Sequence, residues 1–336
     1  MKKIYDVLKR SLFVLRESWL APRAKKNLRI SDELRRAGEI LYNNKLGFDK
    51  YFEDNKPIGK IIKVNGWKYN DKLDEYTLKF KNSIFSNGTI KIRNNSDKDI
   101  LIFLPGYYSS SDDILINKNH PQFLSDDCKK NELSIATWDF PLQGRRGDQS
   151  LYLNLKSVVS IEREYSRFLH ILNTSLWLEI LNEINFCIEE IYQFYGKNIN
   201  IHLVGWSMGG AFSPHISNSN SNIKSCISAG SLARYKDLLT EGNTRLHGYF
   251  FYPNNVLNYF DLEDVLISIS EKKINHMIIY GANDPGCLKY SQRFIQNLIE
   301  SGILLQKNFK KLDNSGHFFN PMLKQKIFNS INQWKK

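Results

Sequence analysis

The chain has 336 residues, of which 42% are apolar and 24% charged, and this composition predicts a folded globular protein rather than a disordered one. No uninterrupted apolar run reaches the roughly 18 residues of a membrane-spanning helix, and four widely separated cysteines match neither a zinc site nor a secreted disulfide framework. Residues 1–30 hold nine basic and two acidic residues, and the rest of the net charge of +12 forms no long basic block, so we expect no nucleic-acid partner. The separated cysteines and the charged residues that interrupt any signal-peptide pattern predict a cytoplasmic location.

The first twenty residues carry apolar side chains at helical spacing with Lys and Arg between them. This pattern predicts a basic amphipathic helix over residues 1–20. Its apolar face can pack on the protein, which is the more common arrangement, or lie on an anionic membrane surface as a peripheral contact. We therefore divide the chain into a basic helical extension over residues 1–73 and a main domain over residues 74–336.

From residue 74 the sequence alternates between strand and helix patterns. The segments "EYTLKF" and "TIKIR" predict short strands, and apolar runs then predict buried strands in "DILIFLPG", "LSIATWDFP", "INIHLVGWS", "KSCISAG" and "INHMIIYGAND". Helical patterns lie between them, notably over residues 158–194. This alternation predicts an α/β fold with a mostly parallel sheet covered by helices on both faces. Residues 231–273 form a short insert before the last of these strands, and the Asn-rich "ISNSNSNIKS" predicts a surface loop.

The segment "GWSMG" places Ser207 between two glycines, after a strand pattern and before a helix pattern. A nucleophilic serine on a sharp strand-to-helix turn needs small neighbours, which explains a G-x-S-x-G spacing at this point. The alternative is that Ser207 only caps the following helix, because serine is a favoured N-cap residue. The strand and helix context favours the nucleophile.

A serine nucleophile needs an imidazole base and a carboxylate that orients it. In hydrolases with this motif the chain order is serine, acid, histidine, and ligands lie at the carboxyl ends of the strands. Asp284 directly follows the strand pattern "INHMIIYGAND", and His317 follows a later short strand pattern. These two residues are therefore the predicted acid and base. The acids that remain as weaker alternatives are Asp261, Glu263, Asp264 and Asp313.

The oxyanion of an acyl-transfer intermediate needs two backbone donors. The amide after the nucleophile belongs to Met208, and the loop after the "DILIFLPG" strand supplies the amide of Tyr107. Gly106 allows a close backbone approach there. The rings of Tyr107 and Tyr108 can donate a hydrogen bond or line an acyl pocket, and the sequence does not separate these two roles.

Together, "LPGYY", "GWSMGG", "GANDPG" and "SGHFF" resemble the α/β-hydrolase superfamily over residues 74–336. The resemblance implies an α/β-hydrolase fold and a serine hydrolase or acyltransferase that works through an acyl-enzyme without a cofactor or a metal. Many members have His-Gly where this chain has Pro105-Gly106, which weakens the subfamily assignment more than the chemistry.

A further motif, "WDFPLQGRRGDQS", resembles a segment of the acetyl xylan esterase and cephalosporin deacetylase group and of the "domain 18" branch. It favours short acyl esters. Arg145 and Arg146 either grip an anionic substrate group or, more often in such loops, pair with nearby carboxylates. Candidate substrate contacts are Tyr108, Trp206, Arg145 and Arg146.

The leading hypothesis is a serine carboxylic-ester hydrolase acting on a small-molecule, glycan or lipid acyl ester. The same three residues also serve an acyltransferase or a peptidase. A third hypothesis is a non-catalytic scaffold that its basic N-terminal helix recruits to a membrane or a partner.

Overall fold

A computed structural model describes most of the chain beyond residue 45. The helix predicted over residues 1–20 and most of the proposed extension lie outside the described residues, as do Tyr108 and Arg145. The described residues are 46–107, 109–143, 146, 165–166, 168–196, 198–235, 237, 259–281, 284, 287, 289–312 and 316–335.

The described elements alternate between strands and helices, as the sequence predicts. The strands are β1 (Ile61–Lys63), β2 (Lys68–Asn70), β3 (Glu75–Asn82), β4 (Gly88–Arg93), β5 (Asp99–Leu104), β6 (Ser134–Trp138), β7 (Asn200–Trp206), β8 (Ile223–Ala229), β9 (Asn275–Gly281) and β10 (Phe309–Leu312). The helices are α1 (Phe48–Asp54), α2 (Ser111–Leu115), α3 (Ser125–Lys130), α4 (Leu176–Tyr195), α5 (Met208–Ser219), α6 (Leu262–Glu271), α7 (Lys289–Glu300) and α8 (Pro321–Trp334).

All of these strands belong to one mixed sheet. Its order is β1-β3-β4-β6-β5-β7-β8-β9-β10, and β2 pairs with β3 beside β1. Neighbouring strands in the part of the sheet ordered β6-β5-β7-β8-β9-β10 are parallel. Strands β1, β2 and β4 run antiparallel to β3, and β4 also runs antiparallel to β6. The largely parallel sheet agrees with the predicted fold class.

The central strands are buried on both faces, which explains why they read as continuous apolar runs. Successive side chains of a strand point to opposite faces. Accordingly, Leu203 belongs to a core cluster with residues of α4, α5 and α6, and Val204 belongs to another with residues of α2, α3 and α8. Helices therefore cover both faces of the sheet.

The sheet begins before the predicted domain boundary at residue 74. Residues 61–63 and 68–70 pair with β3, so the sheet includes part of the segment that was predicted to belong to the extension. The short strands β1 and β2 are mostly exposed and carry no apolar alternation, which is why the sequence pattern does not reveal them.

Three glutamates on α4 hold earlier parts of the chain. Glu179 accepts hydrogen bonds from the amides of Ile58 and Gly59 at 2.8 and 3.0 Å. Glu183 accepts one from the Asn82 side chain at 2.7 Å, and the Glu190 carboxylate pairs with the Lys63 ammonium at 2.9 Å. Helix α4 thus joins the strands at the start of the sheet to the rest of the fold.

The Asn-rich segment predicted as a surface loop is instead the end of α5 and the start of β8. Asn218 and Asn220 are buried there. Asn218 accepts a hydrogen bond from Ser268 on α6, and Asn220 donates one to Glu189 on α4. The polar side chains are therefore used between packed helices, which composition does not reveal.

Strand order reverses at β5, which has β6 on one side and β7 on the other. A crevice forms at the carboxyl ends of strands where such a reversal occurs. The residues after β5, β7, β9 and β10 meet at this end of the sheet, and they include the serine, acid and histidine predicted from the sequence.

Candidate functional site

Ser207 lies on a strained turn between β7 and α5. Its backbone has φ 52° and ψ −111°, in a region that L-residues rarely adopt. A Cβ atom on either Gly205 or Gly209 would lie 2.1 Å from a backbone oxygen, so only glycine fits at both positions. The hydroxyl of Ser207 makes no capping hydrogen bond to α5, which argues against the alternative role as a helix cap.

The Ser207 hydroxyl instead contacts His317. Its Oγ lies 2.8 Å from His317 Nε2, and His317 Nδ1 lies 2.7 Å from Asp284 Oδ1. The structure thus brings together, in one hydrogen-bonded chain, the three residues that the sequence places at three strand ends. In the neutral imidazole, Nδ1 donates to the carboxylate and Nε2 accepts from the hydroxyl.

The three members of this chain differ in their exposure. The side chain of Asp284 is 1% exposed, whereas that of His317 is 34% exposed. A buried carboxylate has few other ways to satisfy its charge, so it holds the imidazole in a defined tautomer. The serine and histidine face solvent, where a substrate can reach them.

The other candidate acids have roles elsewhere. Asp261 and Asp264 form a capping box at the start of α6, and Glu263 accepts a hydrogen bond from Arg234 Nε at 3.0 Å. Asp313 lies outside the described residues. Among the candidate acids that the structure describes, Asp284 is the one that contacts His317.

The loop after β5 lies directly beside Ser207. A Cβ atom on Gly106 would be 3.2 Å from the Ser207 Cβ atom, and the Gly209 amide donates to the Pro105 carbonyl at 3.1 Å. The loop that carries Tyr107 therefore packs against the turn that carries Ser207 and Met208.

Hydrogen bonds with Asp139 and Gln122 hold this segment in place. Asp139 directly follows β6, and its carboxylate accepts a hydrogen bond of 2.5 Å from the backbone amide of Ser111. Ser111 is the first residue of α2. Gln122 donates to the Ser109 hydroxyl at 2.8 Å. Asp139 was not predicted from the sequence, although its position directly after a buried strand was the signal that could have identified it.

Arg146 is buried and bound to other protein groups rather than open to a substrate. Its guanidinium forms a bidentate ion pair with Glu183. It also donates hydrogen bonds to the backbone carbonyls of Asp139 and Ser86. Both ion-pair partners are at most 4% exposed. This arrangement supports the structural alternative for Arg146 over the substrate contact.

Trp206 is also buried, with 6% of the residue exposed. Its indole stacks on the imidazole of His317, with 4.9 Å between ring centroids and 27° between ring planes. Trp206 was predicted as a candidate substrate contact, and its stacking on His317 could not be predicted because the two residues are 111 positions apart in the sequence.

A small cavity beside Asp284 is lined mostly by apolar residues. The exposed ring of Phe318, which directly follows the histidine, forms part of its wall. The lining includes Trp206, Gly230, Tyr280, Asp284, Leu312 and Phe318.

A second serine, histidine and acid meet at the opposite end of the sheet. Ser225 Oγ lies 2.8 Å from His202 Nδ1, and His202 Nε2 lies 3.2 Å from Asp99 Oδ1. All three residues are buried. Ser225 lies within strand β8 and not on a strand-to-helix turn. This cluster is structural, and it supplies matched controls for Ser207 and Asp284.

His215 is a buried histidine in an aromatic cluster near the middle of α5. Its Nε2 contacts the Tyr235 hydroxyl at 3.2 Å, and Nδ1 has no hydrogen-bond partner among the described residues. Burial lowers the pKa of His215 from 6.5 to about 3. Burial also lowers the pKa values of His202 and His276.

We expect acid to destabilise the protein through His215. Protonation favours the unfolded state, where the pKa is near 6.5, so stability is constant above that pH and falls as the pH drops towards 3. His215 alone should cost about 2 kcal/mol at pH 5. Urea unfolding of wild type and His215→Phe at pH 7, 6 and 5 measures this loss.

The phenyl ring should fit the site, because Phe48, Trp177 and Phe260 surround the imidazole. A His170→Gln variant is the control, since His170 is exposed. An equal pH dependence in wild type and His215→Phe would contradict this account.

Among the described residues, no group of three or more His, Cys, Asp or Glu side chains is arranged to hold a metal ion. None of the described helices has the length and apolar character needed to cross a bilayer.

No protein-family model matches the chain, and no curated protein matches it in sequence. Solved structures do resemble it. A putative acetyl xylan esterase from Bacteroides fragilis NCTC 9343 has 14% identity, covers 89% of this chain and 78% of its own, and gives a TM-score of 0.53. The chain shares this fold. The predicted resemblance to esterases is thereby confirmed at the level of the fold.

Other similar structures are also esterases by description. A cold-adapted esterase from an Arctic intertidal metagenomic library has 15% identity over 80% of this chain and 99% of its own, with a TM-score of 0.48. An esterase from Pyrococcus furiosus has 14% identity over 85% of this chain and 94% of its own, with a TM-score of 0.47.

Proposed function

We propose that the protein is a serine hydrolase of carboxylic esters. The observation that carries the proposal is the hydrogen-bonded chain from Ser207 through His317 to the buried Asp284, with the serine on a strained turn. Strain at such a turn is maintained only when the surrounding structure enforces it, and it is typical of nucleophiles held at the end of a strand. A serine with only a structural role would not require this strained backbone conformation.

In the proposed reaction, Ser207 Oγ attacks the acyl carbonyl carbon while its proton moves to His317 Nε2. Asp284 orients the imidazole and stabilises the imidazolium that forms. The carbonyl oxygen becomes an oxyanion, which the amides of Tyr107 and Met208 receive. Each well-placed donor of this kind lowers the barrier by about 3 kcal/mol.

The oxyanion then re-forms the carbonyl and the bond to the alcohol oxygen breaks. His317 gives its proton to that oxygen, and the acyl group remains on Ser207. Water attacks this acyl-enzyme, its proton passes to His317, and the second intermediate releases the carboxylic acid as the proton returns to Ser207. This cycle uses no cofactor and no metal.

The substrate class that we propose is a short acyl ester of a small molecule, a glycan or a lipid. The "WDFPLQGRRG" motif supports the short acyl group. The putative acetyl xylan esterase with the shared fold supports the same choice.

A fluorophosphonate probe tests the nucleophile and nitrophenyl esters test the substrate. We expect the wild-type protein to be labelled, with the adduct on the peptide that contains Ser207, and to hydrolyse the acetyl ester faster than the butyryl and octanoyl esters. Heat-unfolded protein is the control and should not be labelled. A folded protein that is neither labelled nor active would contradict the proposal. Preferred transfer to an added alcohol or amine would indicate an acyltransferase.

A further inference from the structure

We infer that Trp206 is a positioning residue for His317, an assignment that rests on the proposed function. The strand β7 ends at Trp206, so its indole is carried by the same rigid element as Ser207. The imidazole lies on a loop before α8 and has 34% of its side chain exposed. The fixed indole of Trp206 therefore restricts the positions that the more exposed imidazole of His317 can adopt.

The two hydrogen bonds of His317 leave one rotation of its imidazole ring unrestrained. They join Nδ1 to Asp284 and Nε2 to Ser207, at opposite sides of the imidazole. These contacts define an axis through the ring, and the ring plane can still turn about it. Stacking at 4.9 Å and 27° supplies the missing restraint, because an imidazole that turns out of plane collides with the indole or leaves it.

The indole itself is held by its surroundings. A Cβ atom on Gly230 would lie 2.4 Å from its Cζ3 atom, and one on Gly106 would lie 2.8 Å from its Cδ1 atom. Phe319 packs its ring edge-on against Trp206, with 5.4 Å between centroids. Glycine at these two positions therefore makes room for the indole. With only 6% of the residue exposed, Trp206 has little surface to offer a substrate.

The stacking also has an electrostatic consequence in the proposed reaction. When the Ser207 proton moves to Nε2, His317 becomes a cation against the electron-rich face of the indole. A cation–π contact that is shielded from water contributes up to about 2 kcal/mol, and tryptophan is the best aromatic partner. This stabilisation is present in the transition state and absent before proton transfer, so it raises kcat.

The test compares Trp206→Leu and Trp206→Phe in the full-length protein with nitrophenyl acetate as substrate. We expect kcat to fall about 30-fold in the leucine variant, with KM changed less than twofold. Phenylalanine should restore most of the loss, because it keeps an aromatic face. A raised KM with unchanged kcat would overturn the inference and make Trp206 part of the substrate site. Equal losses in both variants would overturn it in favour of simple packing.

Trp177→Leu is the matched control. Trp177 is a buried indole whose ring lies 5.2 Å from the imidazole of His215, far along α5 from the serine. This variant should be destabilised but keep the wild-type kcat per folded molecule. If it loses as much kcat as Trp206→Leu, the inference fails.

Fluorinated tryptophan provides a second measurement if Trp206→Leu does not fold. Incorporating mono- and difluorotryptophan keeps the ring shape and weakens its negative face. We expect kcat to fall with each added fluorine, and a constant kcat would overturn the electrostatic contribution. A wild type without any turnover would contradict the proposed function as well, whereas an active wild type with an equally active Trp206→Leu would contradict this inference alone.

Discussion

Replacing Ser207 with alanine is expected to lower kcat for ester hydrolysis by about 10⁶-fold and to abolish fluorophosphonate labelling. The variant loses the only atom that forms the acyl-enzyme in the proposed mechanism. The fold should be retained, because the hydroxyl makes no capping hydrogen bond and alanine is the smaller residue. Burst kinetics, steady-state hydrolysis and thermal unfolding of the same preparation check these three expectations.

Ser225→Ala is the matched control for this experiment. Ser225 also lies 2.8 Å from a histidine nitrogen, but it is 2% exposed and lies within a strand. We expect it to change stability and to leave labelling and turnover unaltered. Persistent labelling in Ser207→Ala, or its loss in Ser225→Ala alone, would show that the nucleophile has been misassigned.

Asp284→Asn should lower kcat by about 10⁴-fold with little change in KM. The asparagine side chain can present an N–H group to Nδ1, which favours the imidazole tautomer with its proton on Nε2. That tautomer cannot accept the Ser207 proton. Hydrolysis of nitrophenyl acetate across a pH series measures the loss.

The companion variant is Asp99→Asn, because Asp99 contacts His202 in the buried cluster at the other end of the sheet. It removes the same charge beside an imidazole and should leave kcat unaltered. A near wild-type kcat in Asp284→Asn would mean that another group orients His317.

Much of the fold is evident from the sequence because the central strands are buried on both faces. Strands β5, β7 and β9 read as apolar runs of strand length, and helical patterns separate them. The strands at one edge of the sheet were harder to predict. Strands β1 and β2 are exposed, so they carry no burial pattern and gain their order from pairing with β3.

The site was predictable to the extent that it depends on positions at strand ends. Ser207, Asp284 and His317 each follow a strand, and parallel strands bring their carboxyl ends together. The partners of buried side chains were not predictable in this way. Trp206 stacks on His317, and Arg146 pairs with Glu183. Both partners are distant in sequence, so only the folded chain shows that they are neighbours.

The glutamates of α4 set a lower limit on the smallest fragment that can fold. A fragment starting at residue 74 would lack Ile58, Gly59 and Lys63, and would leave the carboxylate of the buried Glu179 without two of its donors. A buried carboxylate that loses its partners costs several kcal/mol, a large share of the stability of a typical domain. The autonomous folding unit therefore begins before Ile58, in agreement with Phe48 and Tyr51 of α1, which are already part of the apolar core.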